Sequence, residues 1–542
     1  MSATKSEAIE GYRLSPQQTR LSHVVQCAPA CGIARICLSL QGSPRPLLIE
    51  HALHLLVSRH SILRTSYLST LQVISPEANV TFDVCDLSGL ESEDESSALE
   101  QLAVEAACSD PEPEASPVNA LLVTFSSQDH HLWITLPSMT ADTRSLNNLA
   151  REFMRCYESC AKATALTDEP LDYLQFSEWQ NELLLDVEQS ANGREYWRQF
   201  GSDQFRSRNA ASNFKPAVVE VSFTADEVAQ IETYSANAWL GCGAALLWST
   251  SGARQVALGY VSEGRRYEEM NDGLGLYAKW LPVAVEVEHE RSLQEIVRDA
   301  TEAVQAAEEQ QEYFVLEDEN RFFAIGYEYE ERWDGAETVG VHFGVREQQV
   351  EVEPYELKLH CVKQDGRVRA ELRYDPEVFE EAEVRKLAGR YQRVVQSWIA
   401  NVDVKLGDIA WLSEAERKEI VQQSRGEERE WGETDVVKLF EAQVVQNATA
   451  TAVVSEGERV SYEELNRRAN QLAHYLREMG VGPEVKVGLL LPRSVAMVVG
   501  VLGVLKAGAA YLPLEPQAPL PRLAYILEDA QVPVLITEET VE

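Results

Sequence analysis

Basic residues are scarce. Lys and Arg together number 48 against 87 Asp and Glu, a formal net charge of −39 over 542 residues. A surface of that sign repels phosphate backbones and anionic headgroups, which excludes general binding to nucleic acid or to a membrane surface. Basic partners are favoured instead. Long hydrophobic runs are absent as well. The most apolar stretch, Val495 to Leu505, is shorter than the ~20 residues of a membrane span and is interrupted by glycine. The opening residues, Met1 to Gly11, are polar with two Glu, unlike a secretory signal. Cysteine is sparse and odd in number at nine, a poor basis for a disulfide framework. Cys27/Cys31 and Cys156/Cys160 sit four apart, which helical spacing explains. No second ligand pair accompanies either, so structural zinc is not expected. A reducing cytoplasm is the simplest compartment.

What remains is ordinary globular composition, 45% apolar and 25% charged. The length corresponds to roughly three to four domains. Residues 1–171 mix helical and strand patterns. Leu48, Ala52, Leu55 and Leu56 recur at helical spacing, Leu132 to Leu136 reads as a strand, and Leu146, Leu149, Phe153, Met154 and Tyr157 share one helix face. Residues 172–215 are polar with aromatic punctuation and read as helices crossing between two lobes. Residues 216–421 form a second mixed block with strand-like runs at Gln255 to Val261 and Leu281 to Val287. Acidity concentrates at 286–356, including Glu308-Glu309, Glu317-Asp318-Glu319 and Glu328 to Glu331. It reads as a solvated face, with a docking surface for a basic partner as the functional alternative. Residues 422–435 are charged and aperiodic, a linker.

Residues 436–542 change texture. Ser461 with Glu464 three residues on is a capping box, and Gly480 ends the helix it opens. Strands at Val485 to Leu491 and Val532 to Ile536 alternate with helices at Ser494 to Ala507 and Arg522 to Ala530. Continuous apolar strands between helices imply a parallel α/β sheet. Val460-Ser461-Tyr462-Glu463-Glu464-Leu465-Asn466, and the run from Leu505 to Pro516 (LKAGAAYLPLEP), resemble the first two core motifs of a nonribosomal peptide synthetase adenylation domain. That family cradles ATP phosphates in a Gly- and Ser/Thr-rich loop ending in Lys. Thr250-Ser251-Gly252 begins like such a loop, but Ala253-Arg254 follow. With no ATP site, this chain alone is not expected to adenylate, and 542 reads as the length of a fragment.

The preceding residues resemble a condensation domain. Leu14-Ser15-Pro16-Gln17-Gln18, Arg59 to Thr65 (RHSILRT), Asp172-Tyr173 with Trp179, Tyr196-Trp197, and Gly264-Arg265 with Leu281-Pro282 match its motifs in order. The resemblance implies an α/β fold of two chloramphenicol-acetyltransferase-like lobes in a V, followed by a truncated parallel α/β adenylation subdomain. It also implies a tunnel into which carrier-protein phosphopantetheine arms enter from opposite faces, and attack of an acceptor amine on a donor thioester. Because Met1 lies close to the first motif, a donor carrier on a separate polypeptide is expected.

The family's motif is two His, three variable residues, Asp and Gly. The aligned stretch here is Pro137-Ser138-Met139-Thr140-Ala141-Asp142-Thr143. Pro137 and Ser138 replace both His, and Thr143 replaces Gly. The candidate catalytic residues are therefore Ser138 and Asp142, with Asp142 also a helix cap or a structural partner of Arg265. Ser138 has no local base. His130-His131 is a second His pair without the spaced Asp, read as strand-edge or solvent-facing. His51, His54 and His60 lack an accompanying carboxylate or Cys cluster, so no metal is expected there. Cyclising relatives carry paired Asp, and Pro137 stands where the first would be. Two readings stay open. One is amide formation by proximity, without the roughly 10²–10⁴ that general acid–base help supplies. The other is a platform that docks carrier proteins or recruits a tailoring enzyme.

Overall fold

The computed structural model describes residues 11–68, 70–88, 117–200, 205–207, 214–221, 223–232, 236–316, 321–426 and 434–538. The chain forms two compact units, Met1–Glu419 and Ile420–Glu542.

Two six-stranded mixed sheets organise the first unit. In the first sheet the order is Ala336–Thr338, Val341–Val350, Ile33–Gly42, Asp129–Pro137, Asn119–Thr124, Thr81–Asp86. Helices Pro46–Arg59 and Thr143–Lys162 supply Ala52, Leu56, Leu146, Leu149 and Phe153 to a core shared with Ile36, Leu38, Leu132, Ile134 and Phe343. The second sheet runs Lys279–Glu286, Gln255–Ser262, Ile325–Glu331, Leu357–Gln364, Arg367–Tyr374, Ala217–Val221. Helices Ala238–Ser251, Leu293–Glu309 and Glu381–Ala400 bury Trp239, Ile296, Tyr391 and Trp398 against Leu281, Tyr327, Leu359 and Leu372 of that sheet.

The sequence blocks need two corrections. Residues 336–350 lie inside the 216–421 block but complete the first sheet, not the second. Val341–Val350 pairs antiparallel with Ile33–Gly42, and Val341, Phe343 and Val345 enter the first core. An alternating strand satisfies whichever sheet edge offers hydrogen bonds and an apolar face; sequence order does not choose between them. Crossing helices Tyr173–Leu185 and Val187–Arg198 place Tyr173 and Phe176 in the first core and Trp197 in the second. The linker is also shorter than read: helix Glu414–Ser424 occupies its first residues, and Asp435 already caps helix Val436–Asn447 through the Lys438 N–H at 2.8 Å. Residues 427–433 lie outside the described residues.

The second unit carries hairpin Thr451–Ser455/Glu458–Ser461 and a three-stranded parallel sheet, Ala510–Pro513, Lys486–Leu490, Val534–Thr537. Ser461 and Ser494 cap helices Tyr462–Glu478 and Val495–Ala507. Gly508 closes the latter at φ +88°, a left-handed position that glycine takes without the Cβ clash.

Candidate functional site

Strand Asp129–Pro137 runs into a single tight turn, Ser138–Thr140, and then into helix Thr143–Lys162. The turn buries its own polar atoms. Ser138 is 0% exposed and donates its hydroxyl to the Cys31 carbonyl at 2.5 Å. Thr140 donates to the Pro137 carbonyl at 2.6 Å. Asp142 caps the helix by accepting from the Ser145 N–H at 2.7 Å. Its carboxylate also takes both ends of the Arg265 guanidinium at 3.0 Å and the Tyr277 and Ala278 N–H groups at 2.8 and 2.9 Å. Five donors saturate a group with about four lone-pair directions. Arg265 is fixed in turn by Ser145 Oγ at 2.8 Å and by the Tyr277 ring, 4.4 Å beneath it. Gly264 sits at φ +70°, and a Cβ there would lie 1.8 Å from the Tyr277 carbonyl oxygen. Only glycine lets this loop bring Arg265 to Asp142.

The His130-His131 pair is neither at an edge nor in solvent. Its strand lies between Ile33–Gly42 and Asn119–Thr124, and both rings are buried. His130 Nδ1 lies 3.0 Å from Thr124 Oγ1. His131 packs on Phe125 with ring centroids 4.7 Å apart; burial, reinforced by Arg346, lowers its pKa to about 4 despite Asp129. A central strand needs side chains on both faces, and an imidazole with one hydrogen bond fills such a place. The cysteine explanation changes as well: Cys27 ends helix Pro16–Cys27, while Cys31 lies in the following turn, Pro29–Gly32.

The solvated-face reading of 286–356 fails for its most informative members. Glu286, Glu288, Glu290, Glu302 and Glu309 are exposed, but Glu312, Glu328, Glu330, Glu351 and Glu353 are buried. Residues 317–319 lie outside the described residues. Glu328 and Glu330 alternate with Tyr327 and Tyr329, and Lys358 and His360 with Leu357, Leu359 and Cys361. One face of the second sheet is therefore apolar core, while the other carries buried charge.

These charges close into a ring that begins and ends on Thr143. The Thr143 hydroxyl donates to Glu328 at 2.7 Å. Lys358 bridges Glu328 and Glu351 at 2.9 and 2.6 Å. Arg373 joins Glu351 to Glu371 at 3.1 Å each. His360 stands 3.7 Å from Glu371 and 2.9 Å from Glu330. Gln348 donates to Glu330 at 2.7 Å and to the Thr143 carbonyl at 3.3 Å, and Arg332 also pairs with Glu330. Burial opposes ionisation of Glu328, but Lys358 and His360 outweigh it and hold its pKa at about 2. Glu330 and Glu371 are held below the usual carboxylate range in the same way, against burial, by His360 with Arg332 and by His360 with Arg373.

Because these folded-state values lie below the unfolded ~4.3, the unfolded chain binds more protons in acid. The stabilisation is present above about pH 5 and is lost as pH falls toward 2. Glu353, pushed up by burial against the pull of Arg20, offsets part of this. Urea unfolding followed between pH 7 and pH 3 is expected to show a midpoint that falls steadily below pH 5.

Between Asp142, Thr143, Ser262, Ala278, Glu328 and Glu330 there is a space of about 20 Å³, room for about one water molecule. Ala278 also lines a cleft of about 490 Å³. It is lined by Leu21, Leu184, Leu276, Trp280, Phe314 and Phe323, with Arg20, Lys279 and Glu353 as its charged groups. Arg20 forks onto Glu353 at 2.7 and 2.8 Å, and Lys279 meets Glu312 at 2.5 Å. Burial lowers the Lys279 pKa, against the attraction of Glu312. The structure thus brings Asp142 and Arg265 together and leaves Ser138 apart from both, under the turn.

A family model described as a condensation domain matches residues 9–318, more than half of the chain. The chain belongs to the condensation-domain family. A second model, described as an AMP-binding enzyme, matches residues 440–542. Chondramide synthase cmdD of Chondromyces crocatus is 28% identical over 92% of this chain and 14% of its own length. Bacitracin synthase 3 of Bacillus licheniformis is 26% identical over 99% of this chain and 9% of its own length. The chain therefore spans less than a sixth of these relatives. A four-domain nonribosomal peptide synthetase bound to AMP and glycine superposes with a TM-score of 0.67 at 17% identity, covering 99% of this chain and 44% of that one. The X-domain from teicoplanin biosynthesis, in complex with OxyB, gives 0.60 at 20% identity over 76% of this chain and 99% of that one. The fold is the mixed α/β architecture of synthetase condensation and adenylation structures.

Proposed function

We propose that this condensation domain engages carrier-protein-bound aminoacyl or peptidyl thioesters in a nonribosomal peptide synthetase without forming an amide itself. One observation carries the reading: no side chain at the motif is free to move a proton. Ser138 spends its hydroxyl on a carbonyl, and both Asp142 oxygens are saturated. Glu328, beside them, has a pKa of about 2 and is a weak base at neutral pH. A space of about 20 Å³ also excludes a reacting pair. The cleft of about 490 Å³, apolar with a few polar groups, is of the size and character of a ligand site. We assign it to a phosphopantetheine arm. Residues 436–542 contain no phosphate-binding loop and are not assigned ATP chemistry.

Amide formation by proximity is the competing reading, and the cleft ending at Ala278, next to Asp142, is the observation in its favour. The test uses the 542-residue chain with donor and acceptor carrier proteins bearing aminoacyl groups. Product at the uncatalysed rate is expected, together with saturable binding of a loaded carrier that Leu276→Arg weakens at least tenfold. Ser138→Ala is expected to change neither. Product above background, whether or not Ser138→Ala abolishes it, would overturn the proposal.

A further inference from the structure

The cleft of about 490 Å³ has a rim and a floor. Among its lining residues Thr19 and Val315 are exposed, while Leu276, Trp280 and Phe323 are buried. Its charged side chains are already paired. Arg20 is held by Glu353 and by the Arg321 carbonyl, and Lys279 by Glu312 and the Gln311 carbonyl. Burying a charge without a partner is costly, and neither an ammonium nor a carboxylate on an occupant would find an uncompensated one here. The floor rests on glycine. Gly259 and Gly326 face each other across strands Gln255–Ser262 and Ile325–Glu331, and the Trp280 ring lies over both. A Cβ on Gly259 would stand 2.6 Å from Trp280 Cε3 and 2.6 Å from Phe323 Cγ, and one on Gly326 would stand 2.6 Å from Trp280 Cη2. Trp280 in turn stacks on Phe323, with ring centroids 6.0 Å apart at 25°.

The geometry points to the cargo of this cleft, an inference that rests on its assignment to a phosphopantetheine arm: an uncharged, apolar acyl group, whose permitted length is set by the Gly259–Gly326 shelf under Trp280. A strand glycine marks a close approach of other atoms to the backbone. Here the approaching atoms are the rings that floor the cleft, so the paired glycines let Trp280 and Phe323 lie against the sheet and leave depth above them. A side chain at either position would displace the rings, because a packed interior tolerates no such overlap. Within the depth that remains, each methylene reaching the apolar floor tightens binding about fourfold.

The experiment titrates the 542-residue chain with acyl amides of aminopantetheine, hydrolysis-resistant counterparts of the pantetheine thioesters, and reads affinity by calorimetry. In the wild type the hexanoyl amide is expected to bind at least tenfold tighter than the acetyl amide. The 4-methylpentanoyl amide is expected to bind at least tenfold tighter than the leucyl amide, which differs from it only by an α-ammonium. In Gly326→Ala the hexanoyl advantage is expected to fall below threefold with acetyl binding unchanged. Gly326→Ala/Trp280→Leu, whose smaller side chain makes room for the new Cβ, is expected to regain it, which a misfolded variant would not. Equal affinity within either wild-type pair, an undiminished hexanoyl advantage in Gly326→Ala, or no recovery in the double variant would overturn the inference and leave the assignment of the arm standing. No binding of any amide, or binding that Leu276→Arg leaves untouched, would overturn the assignment itself and the inference with it.

Discussion

Lys358→Met is expected to lower the unfolding free energy of the condensation domain by about 3–5 kcal/mol, the cost of leaving buried charge without its partner. Its ammonium lies between Glu328 and Glu351 and 4.9 Å above the Tyr355 ring. A methionine fills the volume but leaves Glu328 facing Glu351 without its ammonium, and Glu351 with Arg373 alone. The signature is a reversed response to acid. In the variant, protonating Glu328 relieves the repulsion, so mild acid stabilises where it destabilises the wild type. Urea unfolding at pH 7 and pH 4 checks both signs. The triple variant Lys358→Met/Glu328→Gln/Glu351→Gln is expected to regain most of the loss, since neutral, hydrogen-bonded groups are cheaper to bury than unpaired charges. A single variant as stable as wild type at pH 7 contradicts the ring as described.

Asp142→Ala is expected to cost about the same, roughly 3–5 kcal/mol, for different reasons. Loss of the helix cap alone costs about 1 kcal/mol. The remainder comes from the buried Arg265 guanidinium and from the Tyr277 and Ala278 N–H groups, all left without their acceptor. Asp142→Asn keeps an acceptor at the cap and should fall between. A double-mutant cycle with Arg265→Met separates the pair from the cap: coupling above about 2 kcal/mol assigns the larger share to the ion pair, and coupling below about 0.5 kcal/mol assigns it to the cap and turn. An activity loss in Asp142→Ala therefore carries no information about catalysis, and Ser138→Ala is the informative variant.

Much of this architecture is legible in the order of residues. The run of period-two and period-3.6 patterns places the strand before Ser138, the helix after Asp142 and the parallel sheet of the second unit, because each is set by near neighbours in sequence. What is hidden is pairing at a distance. Glu328 and Glu330 look like a solvent face because alternation with tyrosine is how a half-exposed strand reads. Their partners Lys358 and His360 lie 30 residues away on another strand. The signal was present as three separate alternations of charge with apolar residues, at Tyr327–Glu330, Leu357–Cys361 and Glu371–Tyr374, but no local rule adds them together. His130 and His131 misled for a related reason: burial on a central strand depends on which strands flank it, and one flank, Ile33–Gly42, comes nearly a hundred residues earlier.

The strand Val341–Val350 sets a timetable. Its partner edge, Ile33–Gly42, leaves the ribosome roughly 300 residues earlier, which at about 5–20 residues per second is on the order of 15–60 s. Throughout that interval a ten-residue apolar strand has one flank unsatisfied, the kind of edge that recruits a strand from another chain. A nascent first lobe must therefore be shielded until the second is nearly complete. An expression boundary placed between the lobes, near residue 215, would make that temporary exposure permanent.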